Sequence, residues 1–377
     1  MKSIPDILGG LQMLLDIDFD LQNMFEEYLT GAQKAFLAAL RCIEDVLPSE
    51  AQYARARTGR PAYEILPFMR AFLAQCFFRI PTMEDLRKQL HGNANLRKIC
   101  GFHEVPSLPT FSRRLSELAD DKYFSEALEK LVTKHLSERI TGNVLRDSTA
   151  IPAREAPSNK KSDVRLSPPP PPHKRGRPKK GERRSPVPPT VLTQQASMPL
   201  EAAVSLLPTE CTWGCKINSQ GNVSYWKGYK LHLDVTDAGI PVSMLVTGAN
   251  VHDSQAAIPL EMMTERRLTH LYTLMDSAYD AEAIRTFIAS RGRIPIIDRN
   301  PRRKDARPTF CPATQEHFKA RSTVERANAH LKDWLIPSRL YVKGIKKVSF
   351  MLACGVLCLA AIKILQYIVM PSRLKIA

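Results

Sequence analysis

Cysteine is scarce in this sequence, with 8 residues in 377 and no regular spacing. This scarcity excludes a disulfide-stapled scaffold and favours a reducing cytosol. Cys211 and Cys215 are four residues apart, but no second Cys or His pair at ligand spacing accompanies them. We therefore interpret them as ordinary thiols rather than as half of a zinc site.

A secretory signal and a long apolar run are also missing. Met1–Asp6 carries one lysine, and no apolar segment or small-residue cleavage site follows it. The longest apolar run, Phe350–Ile362, is shorter than the ~20 residues that a membrane span needs. We therefore expect a buried helix over Val348–Met370 and no membrane partner.

Acidic residues are few relative to basic ones, with 38 Asp and Glu against 54 Lys and Arg. The formal net charge of +16 attracts polyanions, which makes nucleic acid the first expected partner and an anionic membrane surface the second. Hydrophobic residues make up 44% of the chain, which excludes disorder throughout and allows two or three domains.

The first part of the chain, residues 1–140, has a helical pattern. Apolar residues recur at three- and four-residue spacing, and Thr82 is placed to cap a helix whose first turn holds two acids. A further helix begins after Ser107 and carries Arg113 and Arg114. Short helices and tight turns are compatible with a helix-turn-helix DNA reader, and equally with a plain bundle that has a solvated Arg pair.

A basic, proline-rich insert follows at 156–210. Residues 160–184 contain ten Lys or Arg and two acids, and an unbroken proline run spans 168–172. Such a composition cannot bury a core, so we expect a disordered insert. Lys174–Gly181 resembles an AT-hook, in which a thin, extended Arg-Gly-Arg-Pro segment enters the A·T minor groove; a solvated basic linker is the alternative. The residues of this hook would be Arg175, Gly176, Arg177, Pro178, Lys179 and Lys180.

The remainder of 141–377 predicts a mixed α/β layer. A strand over 143–151 is followed, after the insert, by an alternating hairpin that turns at Asp237–Gly239. Apolar strands near 271–276 and 294–298 then alternate with helical segments. An antiparallel hairpin beside parallel crossovers is expected.

Three acids are placed where this sheet could bring them together. Asp147 is expected to end the first strand and Asp276 the fourth, while Glu325 lies on a late helix. Carboxylates this close repel one another and need a cation, and an all-carboxylate set prefers Mg²⁺ or Mn²⁺. Two such ions suit phosphoryl transfer on a phosphodiester backbone.

The helix around Glu325 carries charge on one stripe. At ~100° per residue, Arg321, Glu325, Asn328 and Lys332 fall on one face. One acid between two cations suits metal and phosphate binding. A solvated Arg–Glu pair is the alternative interpretation.

The spacing Phe318-(2)-Arg321-(3)-Glu325-(6)-Lys332 resembles the Tyr-Arg-Glu-Lys signature of bacterial insertion-sequence transposases with an Asp-Asp-Glu active site. The block 275–280, with a Tyr three residues after the Asp, is similar to their second acidic block, and 145–149 is similar to the first. The segments 226–230 and 247–254 resemble their flanking hairpin, and 81–115 resembles the helical domain that precedes their core.

This resemblance implies an RNase H-like catalytic domain preceded by an all-α DNA-binding domain. It implies that Asp147, Asp276 and Glu325 bind two Mg²⁺ ions, that Arg321 and Lys332 hold the DNA backbone, and that Tyr279 lines the site. The implied reaction is hydrolysis at the element ends, followed by attack of the freed 3′-OH on target DNA. The implied partner is double-stranded DNA. Our own hypothesis is that the active form is a homodimer or larger assembly on paired element ends, and we expect it at the bacterial nucleoid in the cytoplasm.

Two departures and two rival acids accompany the resemblance. Phe318 replaces the usual Tyr, and Ser277–Ala278 stands where Gly is common. Asp253 and Asp298 are rival acids; we interpret Asp253 as the cap of the next helix and His252 as a hydrogen-bonded loop residue. A catalytically silent DNA-binding protein and a nuclease that cuts without joining are the alternative functions.

Overall fold

The computed structural model describes residues 29–47, 63–121, 123–158, 189–217, 220–300, 310–337 and 339–369. The first described third is helical, as its apolar spacing predicts. Its helices are α1 (Gly31–Glu44), α2 (Leu66–Phe77), α3 (Met83–Gly92), α4 (Ala94–Cys100), α5 (Leu108–Asp120) and α6 (Tyr123–Leu136).

Local capping sets the bounds of these helices. The Thr82 hydroxyl accepts a hydrogen bond from the Asp85 N–H at 3.1 Å, which confirms the predicted cap of α3. Asn93 caps α4 in the same way, and Gly101 ends it at φ 85°. Pro109 lies in the first turn of α5, where its missing N–H costs nothing.

The second part of the chain builds one mixed six-stranded sheet. Its strands are β1 (Ile140–Pro152), β2 (Thr212–Ile217), β3 (Val223–Thr236), β4 (Pro241–Gly248), β5 (Thr269–Met275) and β6 (Ile294–Ile297). Their order is β2-β3-β1-β5-β6, and β4 also pairs with β3. β2, β1 and β4 are antiparallel to β3, whereas β1, β5 and β6 are mutually parallel. The predicted hairpin beside parallel crossovers is therefore confirmed.

Asp147 does not end the first strand, which corrects our expectation. β1 continues to Pro152, because its last residues stay paired with β3 up to the Pro152–Gly228 pair. The parallel pairing with β5, in contrast, stops at Leu145 and Leu274. Asp147 therefore lies within β1, just beyond the point where its neighbour on the other side ends.

Helices cover both faces of the sheet. These are α7 (Val191–Ala196), α8 (Leu200–Ser205), α9 (Ala257–Glu265), α10 (Glu282–Ser290), α11 (Pro312–Lys319), α12 (Ser322–His330) and α13 (Ile345–Ile364). Successive side chains of a strand point to opposite faces. Arg146 bonds to α9 and Asp147 bonds to α12, so these two helices lie on opposite faces.

The apolar helix α13 lies at the centre of the core. Its Phe350 ring contacts Phe72 of α2 at 5.7 Å and Phe124 of α6 at 4.8 Å between centroids. It also contacts β4 on the sheet side. The helical first part and the sheet therefore share one continuous hydrophobic core.

The segment Ile345–Val369 is long and apolar enough to cross a membrane by length and composition, so the helix is longer than the apolar run suggests. However, 83% of its apolar window is buried inside the protein. This burial confirms the expected core helix over its described residues.

Part of the predicted disordered insert has regular structure, which corrects its expected extent. α7 and α8 lie within 189–210. Thr190 caps α7, and the buried Gln195 amide donates to the Gln255 carbonyl at 3.0 Å. Ala203 of α8 packs in the second apolar cluster. The basic stretch with the AT-hook-like residues 174–181 lies outside the described residues.

Candidate active site

Strand register brings two acids to the same level. Leu145 of β1 pairs with Leu274 of β5 in parallel, so the positions two residues later, Asp147 and Asp276, continue the same row. Asp276 follows β5 directly, as predicted, and its carboxylate accepts the Ala278 N–H at 3.0 Å. Asp276 is close enough to Asp147 for its charge to raise the pKa of Asp147.

The third acid reaches this place from α12. Glu325 and Arg321 are one turn apart, and the Arg321 Nη2 lies 3.3 Å from Glu325 Oε1 and 3.7 Å from Asp276 Oδ2. The Asn328 amide, on the same stripe, donates to Asp147 Oδ2 at 3.1 Å. The helix therefore connects to both strand acids through side chains of the predicted stripe.

The acids are held in an environment that disfavours their charge. Burial, reinforced by Asp276, raises the pKa of Asp147 to about 6. Burial also raises the pKa of Asp276, against the opposing effect of Arg321. A cation between Asp147 and Asp276 would offset the free-energy cost of holding their partly buried carboxylates in the charged form. Glu325 is more open, with a side chain 56% exposed.

Tyr279 lies beside the acids but is fully buried. Its burial, together with Asp253, Asp147 and Asp276, raises the pKa of the phenol well above its usual value. Its hydroxyl has no hydrogen-bond partner in the described part of the chain. The Tyr279 side chain is thus within electrostatic range of the acids but has no exposed surface that could contact DNA.

A fourth acid, Asp253, joins this group. Its carboxylate accepts from Lys230 Nζ at 2.8 Å, and Lys230 also donates to the Val251 carbonyl. Burial raises the pKa of Asp253, but Lys230, His232 and the hydrogen bonds of the carboxylate together lower it, and the net shift is downward. The predicted cap role was wrong, because the His252 ring accepts the Ser254 N–H instead.

Two lysines also contribute positive charge near the acids. Lys332 follows α12, and burial together with Lys216 lowers its pKa. Lys216 of β2 is exposed and acts to lower the pKa of both Asp147 and Asp276. Sequence reasoning missed Lys216, since the strand that carries it was not predicted.

A buried ionic network supports the strand that carries Asp147. The Arg146 guanidinium makes two 2.7 Å bonds to Asp234 and one of 3.0 Å to Glu261. Glu261 in turn lies 3.1 Å from His270. These groups fix β1 to β3, β5 and α9 on the face opposite the acids.

The predicted DNA contacts of α5 separate into two cases. Arg114 is buried and donates to Glu117 at 2.7 Å, with its guanidinium over the Phe68 ring. Arg114 therefore packs in the helical core, and the prediction that it contacts DNA was wrong. Arg113 is exposed, and its contact with DNA stays a prediction.

The carboxylates suit a hard divalent cation in their chemistry. Among the described residues no group of three or more His, Cys, Asp or Glu is arranged to hold a metal. The Arg321 guanidinium stands between Asp276 and Glu325 as their counter-cation. The buried Nε of Arg321 has no partner in the described segments. The carboxylate oxygen donors, and the raised pKa values of Asp147 and Asp276, fit a hard cation such as Mg²⁺ or Mn²⁺.

Phe318 fills the position of the usual Tyr in the signature. Its ring packs against Phe310 with centroids 5.0 Å apart and lies against the core. The aromatic ring at this position therefore has a packing role that needs no hydroxyl.

Comparison with protein families gives two matches. The family model described as Transposase DDE domain matches residues 144–360, and the one described as Transposase domain (DUF772) matches residues 31–134. Comparison with curated proteins and with solved structures found no match. The first match covers more than half of the chain and contains all three acids. The resemblance to this family is thereby confirmed, and the chain belongs to the DDE transposase family.

Proposed function

We propose that this transposase cleaves DNA at element ends and transfers the freed 3′-OH to target DNA, with Asp147, Asp276 and Glu325 holding two divalent ions. The observation that carries the proposal is the convergence of these acids on α12, through Asn328 and Arg321. When bound, Mg²⁺ or Mn²⁺ supplies the charge that activates the attacking oxygen and neutralises the leaving oxygen.

The chain's own residues orient the substrate. Arg321, released from the acids, and Lys332 bind the phosphates on either side of the scissile bond. In the first step water attacks phosphorus and the 3′-oxygen leaves with a proton. In the second step that 3′-OH attacks a target phosphate, and a target 3′-oxygen leaves in turn.

The rest of the molecule supplies binding and assembly. We propose an RNase H-like organisation of 141–377, a DNA-binding role for 1–140 that includes Arg113, and minor-groove contacts by Arg175–Lys180. Paired element ends favour a dimer or larger assembly. The net charge of +16 supports DNA as the partner and predicts salt-sensitive binding.

The test is nicking of a supercoiled plasmid that carries the element ends, with Mg²⁺, by wild type, Glu325→Gln and Glu316→Gln. Glu316 is the matched control, because it is exposed and pairs with Lys319 on α11. We expect nicking in wild type and control, and a loss of at least about 100-fold in Glu325→Gln.

Mapping of the 3′ ends separates the candidate functions. Ends joined to target DNA support transposition, whereas free ends alone indicate a nuclease. Salt-sensitive DNA retention without nicking in any variant would instead indicate a silent DNA-binding protein. Mn²⁺ binding followed by electron paramagnetic resonance, weakened in Asp147→Asn, tests the ion site without activity.

A further inference from the structure

The β2–β3 hairpin presents an aromatic face. In its antiparallel register Trp213 stands opposite Lys227, and Cys215 stands opposite Tyr225. Directly opposed residues of two antiparallel strands share a face of the sheet. Trp213, Cys215, Tyr225 and Lys227 therefore lie on one face of this hairpin.

The two most exposed aromatic side chains among the described residues lie on this single face. Tyr225 is 70% exposed and Trp213 is 59% exposed, and Val223 beside them is 48% exposed. Neither ring is needed for the hydrophobic core. Exposed apolar side chains gathered in one place mark an interaction surface.

The opposite face of the hairpin holds these rings in position. The Trp226 indole donates to the Tyr229 carbonyl at 3.0 Å, and its ring lies on Gly214, where an added Cβ would meet it at 2.4 Å. Trp226 therefore stabilises the conformation of the hairpin. Trp213 and Tyr225 are left on a rigid support.

Charge and position indicate which partner fits this face. Residues 212–228 contain two lysines, Lys216 and Lys227, and no acid. Lys216 lies within electrostatic range of Asp147 and Asp276, so the hairpin stands beside the acids. Lys216 stands opposite Ser224 on the other face, whereas Lys227 shares the face of the two rings. Aromatic rings next to a lysine suit a nucleic-acid strand, whose bases stack and whose phosphates bind lysine.

We propose that the β2–β3 hairpin binds a single DNA strand with unpaired bases next to the acids, by stacking on Trp213 and Tyr225 and by a phosphate contact with Lys227. This inference rests on the proposed action on DNA and names where an unpaired strand is held. It implies that the DNA next to the cleavage point is opened, since a base inside a duplex cannot stack on a side chain.

The test measures binding of a fluorescein-labelled single-stranded oligonucleotide of mixed sequence by anisotropy, in EDTA, so that no cleavage takes place. We expect Trp213→Ala and Tyr225→Ala each to weaken binding by about 5- to 100-fold. Trp213→Phe and Tyr225→Phe keep a ring and retain most of the affinity. Tyr367→Ala is the matched control, because it removes another exposed aromatic ring, 47% exposed.

Unchanged affinity in both alanine variants would overturn the proposal. A second contrary result is possible. If these variants keep their affinity for the strand but self-associate more weakly in sedimentation velocity without DNA, the face belongs to a contact with a second copy of the chain. If the protein binds the strand but does not nick the plasmid, the proposed cleavage reaction is contradicted, whereas the proposed strand-binding site is supported.

A second measurement does not depend on the folding of variants. Cys215, which is exposed on the aromatic face, and Cys311, which is exposed on the segment before α11, are both free thiols. The oligonucleotide should slow alkylation of Cys215 by a maleimide and leave Cys311 reactive. Equal rates with and without DNA at Cys215 would contradict the proposal.

Discussion

At the scale of single residues, the partly buried Asp147 lowers the stability of the fold when no metal is bound. The pKa of Asp147 is raised from its ordinary value to about 6, so the folded state prefers the protonated form. The ionised carboxylate therefore destabilises the fold above pH 6, and the penalty is absent below the unfolded pKa of ~4. A shift of this size corresponds to roughly 2–3 kcal/mol.

The first prediction follows for Asp147→Asn in EDTA. We expect Tm to rise by a few degrees at pH 8, because the charge is removed while the Asn oxygen still accepts from Asn328. The gain should shrink as the pH falls from 6 to 4. Differential scanning fluorimetry across this pH range measures it.

Asp253→Asn is the matched comparison with the opposite sign. Lys230 lowers the pKa of Asp253 despite its burial, so the charged form stabilises the fold. This variant should lower Tm at pH 8, and the loss should diminish as the pH falls below ~4. A stabilising effect of Asp253→Asn would contradict the charge distribution described for the site.

Residue types could be predicted at this scale, but side-chain environments could not. Asp147, Asp276 and Glu325 stood out because the predicted sheet could bring them together and because the motif spacing resembles that of the family. The burial of Tyr279 and Arg114 depends on helices far away in sequence. For Arg114 that environment includes the Phe68 ring of α2.

At the scale of elements, Gly228 marks the point where β3 changes partners. It pairs with Thr212 of β2 and with Pro152 of β1. Its φ is 152°, and an added Cβ would lie 2.1 Å from the Ile151 carbonyl oxygen. No side chain fits there without moving the β1 backbone.

Gly228→Ala should therefore be strongly destabilising, whereas Gly292→Ala should cost only about 1 kcal/mol. Gly292 also has a positive φ, of 73°, but has open space around its Cβ position. The shift of the urea denaturation midpoint measures both. If both variants lose a similar amount of unfolding free energy, the destabilisation by Gly228→Ala comes from dihedral strain rather than from the close approach of the strands.

The strong periodic elements were predictable and the weak ones were not. β3, β4 and β5 have clear apolar patterns. β2 has Trp, Gly, Cys and Lys in its centre, and forms because β3 offers a partner edge. α7 and α8 are six residues each, and contacts such as that of Gln195 with the Gln255 carbonyl stabilise them more than helix propensity does.

At the scale of the whole molecule, α13 makes the helical part and the sheet depend on each other. Leu357 of α13 is fully buried, so Leu357→Ala should cost about 2–5 kcal/mol. Leu271→Ala, at a position 48% exposed, is the control and should cost little.

Unfolding should also be a single transition. The three tryptophans, Trp213, Trp226 and Trp334, all lie outside α1–α6, so their fluorescence reports on the second part of the chain while circular dichroism reports largely on the helices. Coincident urea curves are expected for wild type and Leu357→Ala. Two separated transitions would show independent cores.

The shared core has a consequence for synthesis. The ribosome completes α6 at residue 136, but α13 begins only at residue 345. At 5–20 residues per second, about 10–40 s pass before the helix that α1, α2, α5 and α6 pack against exists. Throughout that interval the surfaces of these helices that later contact α13 lack this partner, although the helices can already pack against one another. The helical part of this transposase can therefore complete its core only after α13 has been synthesised.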